Sequence, residues 1–561
     1  MSIARVAVVG AGLVGLAVAR EISERLPDAQ VTVFDKEDGV AAHQSGHTSG
    51  IVDAGLEEEP NSLSAALTRR GVERLVPYIS ERGIPYRECG QLVVAQDTDD
   101  ADRLEEMLAR AEANGVPGVR LLDRTRMREI EPHCRGVLAL YSPHTAVIDF
   151  PALAEALASD VRAVGGEIRL GTEITGIDVM ADEVRLRARL VQPASDAGPE
   201  TDDRPTGSGR GRGADGASET DGSRGGHEPG GSRSEDVSAA PGGPRRGDAA
   251  DDLDEQVQEV PRTYRGRDAG PVIGLGDELR SRFGDKSWFK QVEETLDKWG
   301  EKMSGGGGDF GSEFPGPGRE RPDGGHGTDD VRPEPGTGHQ RTRQPRTPDE
   351  DAGSFDLVVL AAGLHADRLA ATAGLDPEPR IIPFTSDFFV MAEPDAEVVG
   401  GVISSVPDPS APLTRTVLAR GITGSLLLGP NTYPSLGREA YGRRDVDFGD
   451  LGSTLGFGGF WKFASQNAKT AMRGAKAVVS TSAFVEGVQR YVPDIRAGAV
   501  KPGPRGVHSQ AIDATGELRD ELIVTTRGRL TEVRNVPRWG AASALALAEH
   551  IADRALRVHH R

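Results

Sequence analysis

An α/β fold built on parallel βαβ units is predicted by three stretches of this 561-residue chain. The first is the apolar run Val6-Ala7-Val8-Val9, which meets Gly10-Ala11-Gly12-Leu13-Val14-Gly15 and continues into a helical run from Leu16 to Leu26. The second is the strand Gln30 to Phe34, which ends on Asp35 about twenty residues past the last glycine. The third is Asp356 to Leu360, a buried-strand pattern that closes on Ala361-Ala362-Gly363.

Each part of the first unit has a physical task. Gly10 permits a tight turn, Gly12 lets a pyrophosphate approach the backbone, and Gly15 lets helix and strand pack closely. The helix start offers free N–H groups and the positive end of its dipole to phosphates. Asp35 can accept hydrogen bonds from a ribose diol. Strand, turn, helix, strand and acid in that order define a Rossmann-like dinucleotide site, with Ala11, Leu13 and Val14 in the turn and Lys36 directly after the acid.

Asp and Glu number 87 against 66 Lys and Arg, a formal charge of −21, which excludes a nucleic-acid surface because that requires clustered positive charge. A high-salt cytoplasm accounts for the acidity, and ordinary solubility by self-repulsion does so nearly as well. The two cysteines, Cys89 and Cys134, read as reduced thiols of a cytoplasmic protein. No export signal precedes the first strand, and no apolar run approaches the roughly 18 residues needed to span a bilayer. A soluble protein, with at most peripheral membrane contact, is expected. No metal site is expected.

From about Pro193 to Gly353 the composition changes to Gly, Pro, Ser, Asp and Arg. Such a segment buries too little apolar surface to offset its chain entropy, so 193–353 is predicted to be a largely disordered insertion. Within it, 271–303 spaces Leu279, Phe283, Phe289, Val292, Leu296 and Trp299 at helical intervals, which fits a transient amphipathic helix or a docking helix. The flanks, Glu167 to Val179 and Val184 to Val191 before it and Asp356 to Leu360 after it, join into a meander and a buried strand. The insertion therefore belongs at a hairpin tip, where a backbone tolerates added length.

Three further elements select FAD as the dinucleotide. His43-Gln44-Ser45-Gly46-His47-Thr48-Ser49-Gly50 is a small, polar loop able to wrap a flavin with hydroxyl and backbone donors. The strand around Glu173-Ile174 can clasp an adenine with its backbone, and Gly363 allows close approach of backbone to cofactor.

On seven stretches the chain resembles the L-2-hydroxyglutarate oxidase/dehydrogenase branch of the D-amino-acid-oxidase-like FAD oxidoreductases. They are HQSGHTSGIVDAG (43–55), ECGQLVVA (88–95), ANGVPGVRLLD (113–123), VPDPSAP (406–412), GSLLLGPN (424–431), VEGVQRYVPDI (485–495) and GVHSQAIDATGEL (506–518). The resemblance spans nearly all of both halves and none of the insertion. It implies a Rossmann-like FAD-binding domain interleaved with an α+β substrate domain on a mixed sheet. The expected division is FAD-binding at 1–75, 151–192, 354–375 and 501–561, and substrate domain at 76–150 and 376–500. The implied reaction takes a hydride from C2 of a 2-hydroxy acid to flavin N5. An electron acceptor (oxygen, a quinone or another) then takes the electrons.

The chain departs from the family pattern where substrate is expected. Asp53 replaces a histidine, Thr385 an arginine, Val417 another histidine and His508 an arginine, while Arg538 and Trp539 are additions. Lost arginines remove permanently charged carboxylate clamps, for which histidine is a conditional substitute. Arg415, Arg420 and Arg538 are the candidates to compensate. His47, Asp53 and His508 are the candidate catalytic groups, with a helix cap or ion pair as the competing role for Asp53 and a solvent-facing or packing role for His47. Gly540, Ala541 and Ala542 are expected to open the C-terminal helix against the flavin. Gln44, Ser45, Thr48, Ser49, Ile174 and Ala362 complete the predicted cofactor contacts. An anion at Asp53 also favours an amine substrate, so an FAD-dependent amine or amino-acid oxidase is a second reading. A flavin-binding protein acting through its inserted arm is a third.

Overall fold

The computed structural model describes residues 3–191, 348–409, 413, 415–467 and 481–557. Of the predicted disordered insertion, residues 193–347, with the helix at 271–303, lie outside these residues, while 350–353 belong to a strand.

The glycine-rich start lies in the middle of a six-stranded sheet, ordered Ile523–Arg527, Leu530–Asn535, Leu357–Leu360, Arg5–Val9, Gln30–Phe34, Glu167–Arg169. All pairs are parallel except the first, which is a hairpin. Alternation along Arg5–Val9 feeds two cores. Val6 and Val8 join Leu16, Ile22, Leu547 and Ile551 of the helices Leu13–Arg25 and Ala544–Arg557. Ala7 and Val9 face Ile174, Leu186 and Phe355 of an antiparallel meander formed by Thr172–Val179, Val184–Leu190 and Glu350–Phe355. Burial on both faces explains why this strand reads as a continuous apolar run.

The second sheet has nine strands, ordered Leu518–Arg519, Lys501–Ile512, Arg380–Met391, Leu426–Pro434, Val417–Arg420, Val402–Ser405, Gln91–Ala95, Leu138–Ser142, Arg120–Leu122. It is mixed, because Val402–Ser405 runs parallel to Gln91–Ala95 while its other pairs are antiparallel. Its faces pack into separate cores around Met391, Leu428 and Val488 and around Leu104, Met107 and Leu140.

Several expected boundaries move. Helix Leu63–Arg82 crosses the proposed border at 75, and its Leu75, Tyr78 and Ile79 share a core with helix Leu13–Arg25. The chain enters the nine-stranded sheet only at Gln91. The segment 501–519, expected on the cofactor side, supplies two strands of the nine-stranded sheet. Strand Glu350–Phe355 lies N-terminal to the expected restart at 354 and pairs with Val184–Leu190 from Val184↔Phe355 to Ala188↔Glu350. The C-terminal helix begins at Ala544 instead of Gly540, after a short 3-10 turn at Arg538–Gly540. Apolar alternation marks a strand but not the sheet it joins, which is why element positions were legible and domain borders were not.

A buried ion pair ties the helix Ala366–Thr372 to the segment after strand Leu426–Pro434. The Arg438 guanidinium donates to both Asp367 oxygens and to the carbonyls of Leu364 and Ile381, with Arg438 Nη2 2.9 Å from Asp367 Oδ2. Burial pushes the Asp367 carboxyl up, but Arg438 and two backbone N–H groups outweigh it and hold the group below the usual range. Arg438→Met should therefore leave an uncompensated buried carboxylate and cost about 3–5 kcal/mol. Urea unfolding would measure this; a loss under about 1 kcal/mol would show that Asp367 is solvated or paired elsewhere.

Candidate active site

The carboxyl ends of Arg5–Val9, Gln30–Phe34 and Leu357–Leu360 open on a cavity of about 1020 Å³. Strand order changes direction here, the place where open α/β sheets bind ligands. The volume lies at the top of the range for pockets that enclose a small molecule, roughly 300–1,000 Å³.

The turn at its mouth requires its glycines. Gly10 has φ +113°, and a Cβ there would meet the Ala361 carbonyl oxygen at 2.3 Å. A Cβ on Gly15 would lie 1.9 Å from the Gly10 carbonyl oxygen. Gly12 is the N-cap of helix Leu13–Arg25 and has no side-chain cap. The first turn therefore presents backbone N–H groups to the cavity, with the Leu13 N–H donating to Ser45 Oγ at 3.0 Å. Asp35 Oδ2 accepts from the Ala11 N–H at 2.6 Å and Oδ1 from the Glu37 N–H at 3.0 Å. Uncapped N–H groups, a turn with no room for Cβ atoms and an acid at the next strand end form a cradle that fits the ADP half of FAD.

Of the predicted cofactor residues, Gly10, Gly12, Leu13, Val14, Gly15, Asp35, Lys36, Gln44, Ser45, Thr48, Ser49, Ile174, Ala362, Gly363, Gly540, Ala541 and Ala542 all line this cavity. Ala11 does not. Its methyl is fully buried in the helix-side core, and only its N–H reaches Asp35. Gln44 Oε1 accepts from the Ser509 N–H at 2.9 Å and from its hydroxyl at 3.1 Å, tying the polar loop to strand Lys501–Ile512. Lys36 Nζ lies 2.7 Å from Glu439 and 3.0 Å from His43 Nε2. Glu37, His43 and Glu439 come within metal-ligand reach of one another, but this ammonium already supplies the cluster with a cation.

The predicted catalytic and substrate residues divide. His47, Asp53, Arg415, His508 and Arg538 line the cavity. Arg420 does not: it pairs with Glu393 at 2.7 Å, away from the cavity. Val417, and Arg415 two residues before its strand, line the cavity, and period-2 alternation along Val417–Arg420 turns Arg420 to the other face. The same alternation removes Thr385, which is buried, and places Ser386 at the cavity instead.

His47 Nδ1 lies 2.9 Å from the His43 carbonyl, and its ring stacks on Tyr441 at 4.3 Å. Burial lowers its pKa. His508 Nδ1 lies 3.2 Å from Ser386 Oγ, and burial pulls the imidazole down to about 4, so it is neutral at physiological pH. Asp53 Oδ1 accepts from the N–H groups of Gly55 and Leu56 at 2.7 and 3.4 Å, which caps the turn.

Two residues that sequence reasoning missed stand beside them. Glu57 accepts from Arg415 Nη1 and from Arg538 Nη2. Glu58 lines the cavity, and burial, reinforced by Asp53 and Asp520, raises it to about 7. Glu57-Glu58-Glu59 before Pro60 reads as a solvated acidic run; nothing local marks Glu57 as facing arginines about 350 and more positions away, or Glu58 as lining the cavity. Arg538 faces the open interior of the cavity, so its side chain is 53% exposed although protein surrounds it.

The profile of the FAD dependent oxidoreductase family (DAO) matches residues 5–197. The chain is an FAD-dependent oxidoreductase that resembles the D-amino-acid-oxidase-like proteins over that stretch, and FAD is its cofactor. Within that class its likeness is to the L-2-hydroxyglutarate dehydrogenase branch. It is 27% identical to the mitochondrial L-2-hydroxyglutarate dehydrogenase of Nematostella vectensis, over 98% of this chain and 90% of that protein. It is 25% identical to the human mitochondrial enzyme of the same name, over 98% and 88%. Among solved structures it shares its fold with an L-α-glycerophosphate oxidase from Mycoplasma pneumoniae with FAD bound, at TM-score 0.57 and 14% identity over 99% of this chain and 95% of that one. A glycine oxidase from Geobacillus kaustophilus gives TM-score 0.53 at 15% identity over 99% and 95%. No helix among the described residues is long and apolar enough to cross a membrane.

Proposed function

We propose that the chain dehydrogenates a 2-hydroxy acid at C2 to the 2-oxo acid and passes the electrons to a second acceptor. The observation that carries this reading is the meeting of two guanidiniums, Arg415 and Arg538, with a carboxyl group poised near neutrality, Glu58, in one cavity with the dinucleotide cradle. The curated relatives, named for L-2-hydroxyglutarate, support it. FAD, when bound, supplies an acceptor for the C2 hydrogen as hydride, two electrons included.

The protein's own residues bind, orient and deprotonate. Arg415 and Arg538 hold the C1 carboxylate by charge-assisted hydrogen bonds and fix the orientation of C2–H. Glu58 takes the hydroxyl proton, because an acceptor with pKa near the working pH combines availability with driving force. Neutral His508 and Ser386 offer hydrogen bonds to the substrate oxygens. Asp53 works in the turn and as a negative neighbour of both arginines, which weakens the amine-oxidase reading that its charge suggested. The free thiols Cys89 and Cys134 suit a reducing compartment, in keeping with a cytoplasmic enzyme.

Anaerobic mixing with a panel of 2-hydroxy acids and amines tests the reaction by bleaching of the flavin absorbance. Bleaching by amines alone would refute the hydroxy-acid reading. The role of Glu58 has its own test: kcat/KM should rise as pH rises through about 7, and Glu58→Gln should abolish that limb and lower the rate about 10²-fold or more. Stability should move the other way. As pH rises from the ordinary carboxylate range towards 7, the unfolded chain ionises this group while the folded one holds its proton, so stability falls over that window. The glutamine variant should lose this contribution to the slope of melting temperature against pH. An unchanged activity limb in the variant would assign the proton to another group.

A further inference from the structure

Glu57 is bound as a substrate carboxylate would be. Its two oxygens accept separately from Arg415 Nη1 and Arg538 Nη2, and its side chain is only 11% exposed. Arg415 spends Nη2 on Ser404 Oγ at 3.2 Å, which also accepts from Gln91 Nε2 at 2.9 Å. That leaves Arg415 Nε, buried and without a partner, as a donor in reserve.

Arg415 and Arg538 face Glu57 and Asp53, two positive charges against two negative, with Glu58 neutral below about 7. The other cationic side chains on the cavity are committed as well: Arg189 to Glu173, Arg368 to Asp450, Arg534 to Glu532 and Lys36 to Glu439. Asp520 adds a further acid. One incoming carboxylate can use the remaining N–H groups of the two guanidiniums, Arg415 Nε among them. A second would enter a site with no uncommitted cation among the described residues, where burial already penalises charge.

We propose that Glu57 is an internal carboxylate that takes up the charge Arg415 and Arg538 would otherwise offer to a second substrate carboxylate, so that the enzyme takes 2-hydroxy acids bearing a single carboxylate. This rests on the reaction proposed above and narrows its substrate; the residue selects substrate and takes no part in the chemical step.

The test compares L-2-hydroxyglutarate with L-2-hydroxypentanoate, which has the same five carbons without the second carboxylate. Anaerobic flavin reduction by each is followed in the FAD-loaded wild-type enzyme and in Glu57→Gln, which frees about one positive charge at nearly constant shape. Wild type should favour the monocarboxylate at least about tenfold in second-order reduction rate, and the variant should shift the ratio towards the dicarboxylate by about tenfold or more. Should the variant not fold, the preference of wild type decides alone. A wild-type preference for the dicarboxylate, or a ratio unmoved in a folded, yellow variant, overturns the role of Glu57 and leaves the parent reaction standing. Bleaching by neither acid in either protein overturns the parent reaction and this inference with it.

Discussion

Gly15→Ala should purify with little or no flavin. The added methyl would lie 1.9 Å from the Gly10 carbonyl oxygen, which belongs to backbone and cannot rotate away. The turn would have to move, and with it the N–H groups of the first turn of helix Leu13–Arg25. Forcing a methyl into a full site costs about 1–3 kcal/mol. If that strain falls on the bound geometry, FAD affinity drops roughly 10- to 100-fold. Flavin absorbance per protein and FAD titration of the apoprotein measure it, with circular dichroism to confirm the fold. A folded variant carrying flavin at the wild-type ratio would contradict the placement of the cofactor along this turn.

Arg415→Ala should lower kcat/KM for the reducing substrate by about a hundredfold or more, through loss of one or two charge-assisted hydrogen bonds to the C1 carboxylate at about 1.5–3 kcal/mol each. It should also destabilise the protein, since Glu57 would keep only Arg538, whose side chain stands in the open cavity. Arg415→Lys separates the two effects. It keeps the charge that steadies Glu57 but loses the planar fork, so stability should recover further than activity. Steady-state kinetics on the yellow variants, beside their thermal melts, would show the split. Wild-type KM and kcat in Arg415→Ala would remove this residue from substrate binding.

The cofactor cradle was legible because its physics is local. A turn without room for Cβ atoms, a helix start and an acid at the next strand end lie within about thirty residues and leave a fixed spacing in the sequence. The substrate end was only partly legible. The departures at Asp53, Val417 and His508 do line the cavity, as do Arg415 and Arg538. Strand register turned Thr385 and Arg420 away from it, and a one-residue shift in facing is invisible when both neighbours are plausible.

The sequence by itself determined that this is an FAD-dependent oxidoreductase, where the strands and first helix of its dinucleotide-binding unit lie, and that an insertion separates two halves of one enzyme. Only the tertiary structure decided which sheet 501–519 joins, which arginines line the cavity and what they already hold. Glu57 meets Arg415 and Arg538 because three separate segments converge on one cavity, and its charge acquires meaning only when burial removes the water that would otherwise screen it.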